Sequence, residues 1–182
     1  MLCTAVKLGG RNLYTIEHLL SSMAGCGLSY IHIEVDGKEI PLLDGSAIQW
    51  VKEFEEVGIK KAPKPDNFFR GINKSIILNK EDSVIAATPS KKTTIISTIS
   101  FPYKAIGIQT FEIDLNPKSF VEMIAPARTF GFKDQFQELS ELGLIKGGSL
   151  GNALVCNGDK WVNPPLRFDN EPIRHKILDL IG

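Results

Sequence analysis

The chain has 182 residues, 43% of them hydrophobic and ten of them phenylalanine, enough to bury a core as one domain or two small ones, which excludes a disordered chain. Basic and acidic residues number 21 each, so no net field draws nucleic acid, and no basic aromatic motif of an RNA-binding module is present. Cys3, Cys26 and Cys156 are scattered and form no C-x-x-C, which argues against a disulfide framework or a structural zinc cluster and fits a reducing cytoplasm.

No apolar run reaches the length of a membrane span, and the start lacks the layout of a signal peptide. In chain order, Thr15 is a capping residue type, and Ile16, Leu19, Leu20 and Met23 recur at helical spacing until Gly25 offers a stop. This predicts a helix whose first turn carries Glu17 and His18. The positive end of its dipole favours an ionised Glu17 and a neutral His18 ring with a lone pair for a metal. The small side chains of Ser21, Ser22 and Gly25 suggest a cleft wall along its other flank.

Alternation of Ile31, Ile33 and Val35 predicts a strand over 30–35, with His32 pointing to solvent. Asp44-Gly45-Ser46 reads as a turn into a second helix, since Ala47, Trp50, Val51, Phe54 and Val57 keep helical spacing up to Gly58. That block is assigned to architecture. Lys60-Lys61-Ala62-Pro63-Lys64-Pro65 forbids regular structure, which divides the chain into 1–62, a linker at 63–66, and a second domain at 67–182. Strands are expected at 75–78, 83–88, 93–101, 109–113 and 153–156, and helices near 119–124 and 135–142. By themselves, Thr129 and Phe130 before Gly131 read as a turn of the chain, and Gly147-Gly148 as a tight backbone turn.

Asn170 can cap a last helix with Pro172 in its first turn and an apolar stripe of Ile173, Ile177, Leu180 and Ile181. His175 and Asp179, four apart, stand one above the other on the opposite face, where they could grip one ion or form a solvated pair. Lys176 on the flank reads as solvated. With Glu17 and His18, these residues make the inventory of a mononuclear hydrolytic zinc site: two imidazoles, one carboxylate ligand and a spare carboxylate. Strands clustered apart from helices indicate an α+β fold.

Five blocks in order resemble one family from end to end: Thr15 to Leu20; Glu39-Ile40-Pro41-Leu42-Leu43-Asp44-Gly45-Ser46-Ala47; Ala127-Arg128-Thr129-Phe130-Gly131-Phe132; Gly147-Gly148-Ser149; and Leu166-Arg167-Phe168 running into Arg174-His175-Lys176-Ile177-Leu178-Asp179. The sequence is similar to the UDP-3-O-acyl-N-acetylglucosamine deacetylases, which remove the acetyl group from an acylated UDP-glucosamine in lipid A synthesis with one catalytic zinc. The resemblance implies two two-layer α+β sandwich units facing each other, with the metal site between them. It implies Zn2+ held by His18, His175 and Asp179, with Glu17 as general base. It also implies that the Thr129 hydroxyl donates to the developing oxyanion, that Lys176 adds positive charge near the oxyanion or the diphosphate, and that Phe130 packs beside the nucleotide. An acylated substrate would be met at the membrane surface or drawn into a groove.

Family members carry opening strands before the stretch matching Met1-Leu2-Cys3-Thr4, and continue past the last helix to a Ser-Gly-His motif whose histidine is a second acid. By that pattern the chain is shortened at both ends, and His32 offers no substitute acid. Two further readings follow: a non-catalytic relic that keeps zinc or the sugar nucleotide as ligand, and an α+β interaction domain without metal.

Overall fold

The computed structural model describes residues 3–60, 71–135 and 149–182. Over these residues the fold is α+β, with small sheets and helices. A hairpin of β1 (Ala5–Leu8) and β2 (Arg11–Tyr14) leads into α1 (Glu17–Gly25), followed by α2 (Ile48–Val57). Two more hairpins come next, β3 (Ile76–Lys80) with β4 (Ser83–Ala87), then β5 (Thr94–Ser100) with β6 (Ile108–Asp114). Helix α3 (Pro117–Met123) precedes a three-stranded sheet of β7 (Phe130–Phe132), β8 (Leu154–Asn157) and β9 (Lys160–Trp161). Its β7–β8 ladder is parallel and every other ladder antiparallel. Helix α4 (Glu171–Ile181) closes the chain.

The core joins early and late segments. Ala47, which caps α2, and Val51 within it meet Ile113 of β6, Phe120, Ile124 and Ala125 around α3, and Ile177 and Leu178 of α4. In the β5–β6 hairpin, Ile95, Phe111 and Ile113 turn inward against this cluster, while Ile96 and Ile108 face solvent, as a period of two requires. α3 is well started: Asn116 and Ser119 cap each other's backbone N–H groups, and Pro117 occupies the first turn.

Several expectations from periodicity give way to packing. Residues 31–35 join no β-ladder among the described residues; Ile31, Ile33 and Val35 are all exposed, because alternation makes a face available without supplying a sheet to cover it. Thr129 and Phe130 do not turn the chain: Phe130 begins β7 and pairs with Leu154. In α4, Leu180 is exposed and Leu178 takes its place in the core, and His175 is as buried as the apolar stripe. α4 packs against the core and against α1, which buries His175, while Lys176 on its flank is exposed as expected.

On α1, Ser21, Ser22 and Gly25 are buried instead of lining a cleft. Gly25 lies flat against Phe120, where a β-carbon would fall 2.3 Å from the ring. The small flank is therefore a helix contact. The expected linker at 63–66, the helix at 135–142 apart from Gln135, and the Gly147-Gly148 turn lie outside the described residues.

Candidate metal centre

Two helix ends build the site. Between β2 and α1 the backbone of Thr15 takes φ 58, a left-handed value costly for a β-branched residue, and this turns strand into helix without a loop. Ile16 occupies the N-cap position expected of Thr15, and no side chain caps the helix. The Thr15 hydroxyl donates instead to Glu39 Oε1 at 2.7 Å.

The abrupt turn leaves Glu17 and His18 in the first helical turn, both buried. Glu17 Oε2 accepts the Thr4 backbone N–H at 3.1 Å. Burial pushes the Glu17 carboxyl above its ordinary range against the pull of the Glu17 and Thr4 amides, and nearby Asp179 adds to the rise. The result is a carboxylate of raised basicity. Burial also lowers His18 to about 4, aided by repulsion from His175, so the ring is neutral at pH 7. Its Nδ1 is buried with no hydrogen-bond partner among the described residues.

From α4 comes His175, 1% exposed, whose Nδ1 donates to the Ala127 carbonyl at 3.0 Å. A carbonyl can only accept, so the proton sits on Nδ1 and the lone pair on Nε2. Nε2 lies 3.3 Å from Asp179 Oδ1, one turn further along the helix. Burial alone would raise the Asp179 carboxyl, but His175 and Lys176 outweigh it and hold the group below its ordinary value. Lys176 Nζ donates to Asp179 Oδ2 at 2.9 Å.

His18, His175 and Asp179 each offer a ligand atom, and these atoms lie within 4.8 Å of one another. The set fits a divalent cation on three observations. Both rings are neutral; His175 has its second nitrogen engaged, as metal-ligating histidines usually do; and His18 keeps an unpartnered buried nitrogen that costs about 1–3 kcal/mol without a ligand or water at the ring. Two imidazoles and one carboxylate are a donor set that zinc favours at sites with an open fourth position.

The structure also brings two of the expected substrate groups here. Lys176 Nζ lies 5.4 Å above the Phe130 ring, and Phe130 lies 6.5 Å from the His175 ring. Thr129 is placed next to them by β7, its N–H donating to Gly45 and its carbonyl accepting from Leu154. Its hydroxyl makes no hydrogen bond to the cluster among the described residues. Gly45, with φ 80, is pressed so close to Asn152 that a β-carbon would sit 2.0 Å from its carbonyl oxygen, which makes the Asp44-Gly45-Ser46 loop the floor beneath Thr129. His32 stands apart on the surface, paired with Glu34.

Sequence reading passed over Glu171 and Arg128. Glu171 is completely buried at the start of α4 and forms an ion pair with Arg128 at 2.9 Å. The available signal was an arginine beside Thr129 and a carboxylate one helical turn before His175. Charged residues in such positions are ordinarily solvated.

All 182 residues match the family model described as UDP-3-O-acyl N-acetylglycosamine deacetylase. The chain is 48% identical to the UDP-3-O-acyl-N-acetylglucosamine deacetylase of Trichormus variabilis, the comparison covering 100% of this chain and 66% of that protein. It is 44% identical to the protein of the same name in Synechocystis sp., with coverage again 100% and 66%. A probable UDP-3-O-acyl-N-acetylglucosamine deacetylase 1, mitochondrial, of Arabidopsis thaliana is 40% identical over 100% of this chain and 60% of its own length. The chain thus spans 60% to 66% of the length of these curated relatives.

Proposed function

The chain belongs to the UDP-3-O-acyl N-acetylglycosamine deacetylase family, and on that premise we propose that it hydrolyses the acetamide of UDP-3-O-acyl-N-acetylglucosamine, in lipid A synthesis, with one zinc ion. The observation that carries the proposal is the meeting of three ligand atoms from His18, His175 and Asp179 beside the buried carboxylate of Glu17.

In this reading His18, His175 through Nε2, and Asp179 hold the ion. Bound zinc supplies positive charge that polarises the acetamide carbonyl and brings the pKa of a water to about 7. Glu17, buried in the first turn of α1 next to His18, takes a proton from the attacking water. As the water oxygen bonds to the carbonyl carbon, negative charge gathers on the carbonyl oxygen, where the Thr129 hydroxyl and the Lys176 ammonium stabilise it. When the C–N bond breaks, the proton held by Glu17 passes to the departing nitrogen, leaving acetate and a free sugar amine. Phe130 packs beside the nucleotide.

We further propose the family arrangement of two α+β sandwich units, at 1–62 and 67–182 joined by a linker at 63–66, with the metal between them. His18 comes from the first unit and His175 and Asp179 from the second. The site of action proposed is the cytoplasm, with peripheral contact at the membrane surface where the acylated substrate is met. Three free cysteines suit a reducing compartment. No helix among the described residues is long and apolar enough to cross a membrane.

Acetate release by the purified chain, compared with Glu17→Gln, tests the function. Turnover lower by about 10²–10⁴ with zinc retained supports the assigned base; equal turnover contradicts it.

A further inference from the structure

One buried carboxylate beside the centre has no part in the chemistry above. Glu171 accepts hydrogen bonds on Oε1 from the Arg128 backbone N–H and from Arg128 Nε, both at 2.9 Å. On Oε2 it accepts from Arg128 Nη2 at 3.2 Å and from the Arg167 backbone N–H at 2.6 Å. The Arg128 N–H belongs to the same peptide group as the Ala127 carbonyl, and that carbonyl accepts from His175 Nδ1 at 3.0 Å. Glu171 and His175 lie one turn apart on the same side of α4. Two side chains of one helix therefore hold opposite ends of a single peptide plane.

We propose that Glu171 is a positioning residue for His175, acting through the 127–128 peptide group as the remote carboxylate of a relay that ends at the histidine. The inference rests on the reading of His175 as a zinc ligand. A carboxylate against the amide N–H draws electron density toward the carbonyl oxygen, and hydrogen bonds linked in this way strengthen one another in a low-dielectric interior. The Ala127 oxygen becomes a better acceptor, the proton is kept on Nδ1, and the lone pair is kept on Nε2, the atom facing Asp179. At many metal sites a carboxylate touches the ligating histidine directly and has this effect; here an amide is interposed.

The neighbouring 126–127 peptide is anchored as well. Arg167 Nη1 donates to the Pro126 carbonyl at 2.8 Å, so the peptides on either side of Ala127 are both held by groups tied to Glu171.

The competing explanation is that Glu171 merely neutralises Arg128. Two variants separate these roles. Arg128→Met removes the guanidinium but keeps the backbone N–H on the carboxylate, whereas Glu171→Met combined with Arg128→Met removes both charges together, a replacement that folded proteins often tolerate. The readouts are zinc affinity, by competition with a chelator, and the His175 tautomer, by NMR of isotope-labelled histidine in the metal-free chain.

The relay predicts that the double variant binds zinc about 10- to 100-fold more weakly and populates the Nε2–H tautomer, while Arg128→Met stays within about threefold of the parent and keeps Nδ1–H. Parental affinity and tautomer in the double variant would overturn it. So would an Arg128→Met variant as weak as the double, or weakened binding with an unchanged tautomer. Should the double variant not fold, Glu171→Gln keeps the shape, removes the charge and is read in the same two ways. An unmutated chain that binds no zinc refutes the metal reading instead, and the tautomer measurement then decides the relay by itself.

Discussion

The rings of His18 and His175 meet edge to face, at 90° and with centroids 5.0 Å apart, although one stands in the first helix of the chain and the other in the last. Helix packing accounts for the meeting. α1 packs against α4 so closely that a β-carbon at Gly182, just past the end of α4, would sit 2.0 Å from the Glu17 carbonyl oxygen. The same approach removes both rings from water and keeps them neutral.

Gly25→Ala tests the packing of α1 against α3. The added β-carbon falls 2.3 Å from the Phe120 ring, which is itself fully buried and cannot swing into open space. Overpacking of this kind costs about 1–3 kcal/mol. The midpoint of urea unfolding should fall accordingly; an unchanged midpoint would show that the helices have room to part.

Arg174 is held between two aromatic rings, 4.0 Å from the Phe111 centroid and 4.2 Å from that of Phe168, while Nε donates to Asn170 and Nη1 to the Met123 carbonyl. A planar, forked cation suits all four contacts, and an ammonium does not. Arg174→Lys should therefore cost about 1–2 kcal/mol in thermal or urea unfolding. Parental stability would show that the stack contributes nothing.

Asp44 links stability to acid. Burial would raise its carboxyl, but hydrogen bonds from Arg167 and Ser46 prevail and hold it below its ordinary value of 3.8. A carboxyl depressed in the folded state contributes stability above its unfolded pKa and loses it as pH falls through the folded value. Because Arg167 is about one third exposed, the contribution is discounted to about 1–2 kcal/mol. Asp44→Asn should thus be less stable than the parent at pH 7, with the gap closing below 3.8. A gap of constant size from neutral to acid pH would contradict the assignment.

Lys176 lies over Phe130 and beside Asp179, and the role proposed for it is to meet negative charge on the substrate. Lys176→Ala should lower turnover by about 10²–10³, as loss of a group stabilising the transition state does, while zinc content stays at the parental level. Unchanged turnover would remove Lys176 from the chemistry.

Much of the site could be read from residue types and spacing. The placement of Glu17 and His18 in a first helical turn, and of His175 and Asp179 one turn apart, depends on local geometry alone. Periodicity reports which side of an element could be buried, and coverage is a tertiary property. Hence 31–35 looked like a strand and is not one, and spacing alone left the His175–Asp179 pair open between a shared ion and a solvated pair, whereas His175 is buried in the fold. The β1–β2 hairpin escaped notice because four-residue strands carry too few alternations to stand out. Glu171 escaped because the partners that justify a buried carboxylate, Arg128 and the Arg167 amide, become neighbours only in the fold.

Zinc content of the purified chain, measured alongside His18→Ala, His175→Ala and Asp179→Ala, tests the centre most directly. Roughly one zinc per parental chain is expected, with marked loss in each variant and the helical signal retained. Full zinc content in His18→Ala and in Asp179→Ala would contradict it.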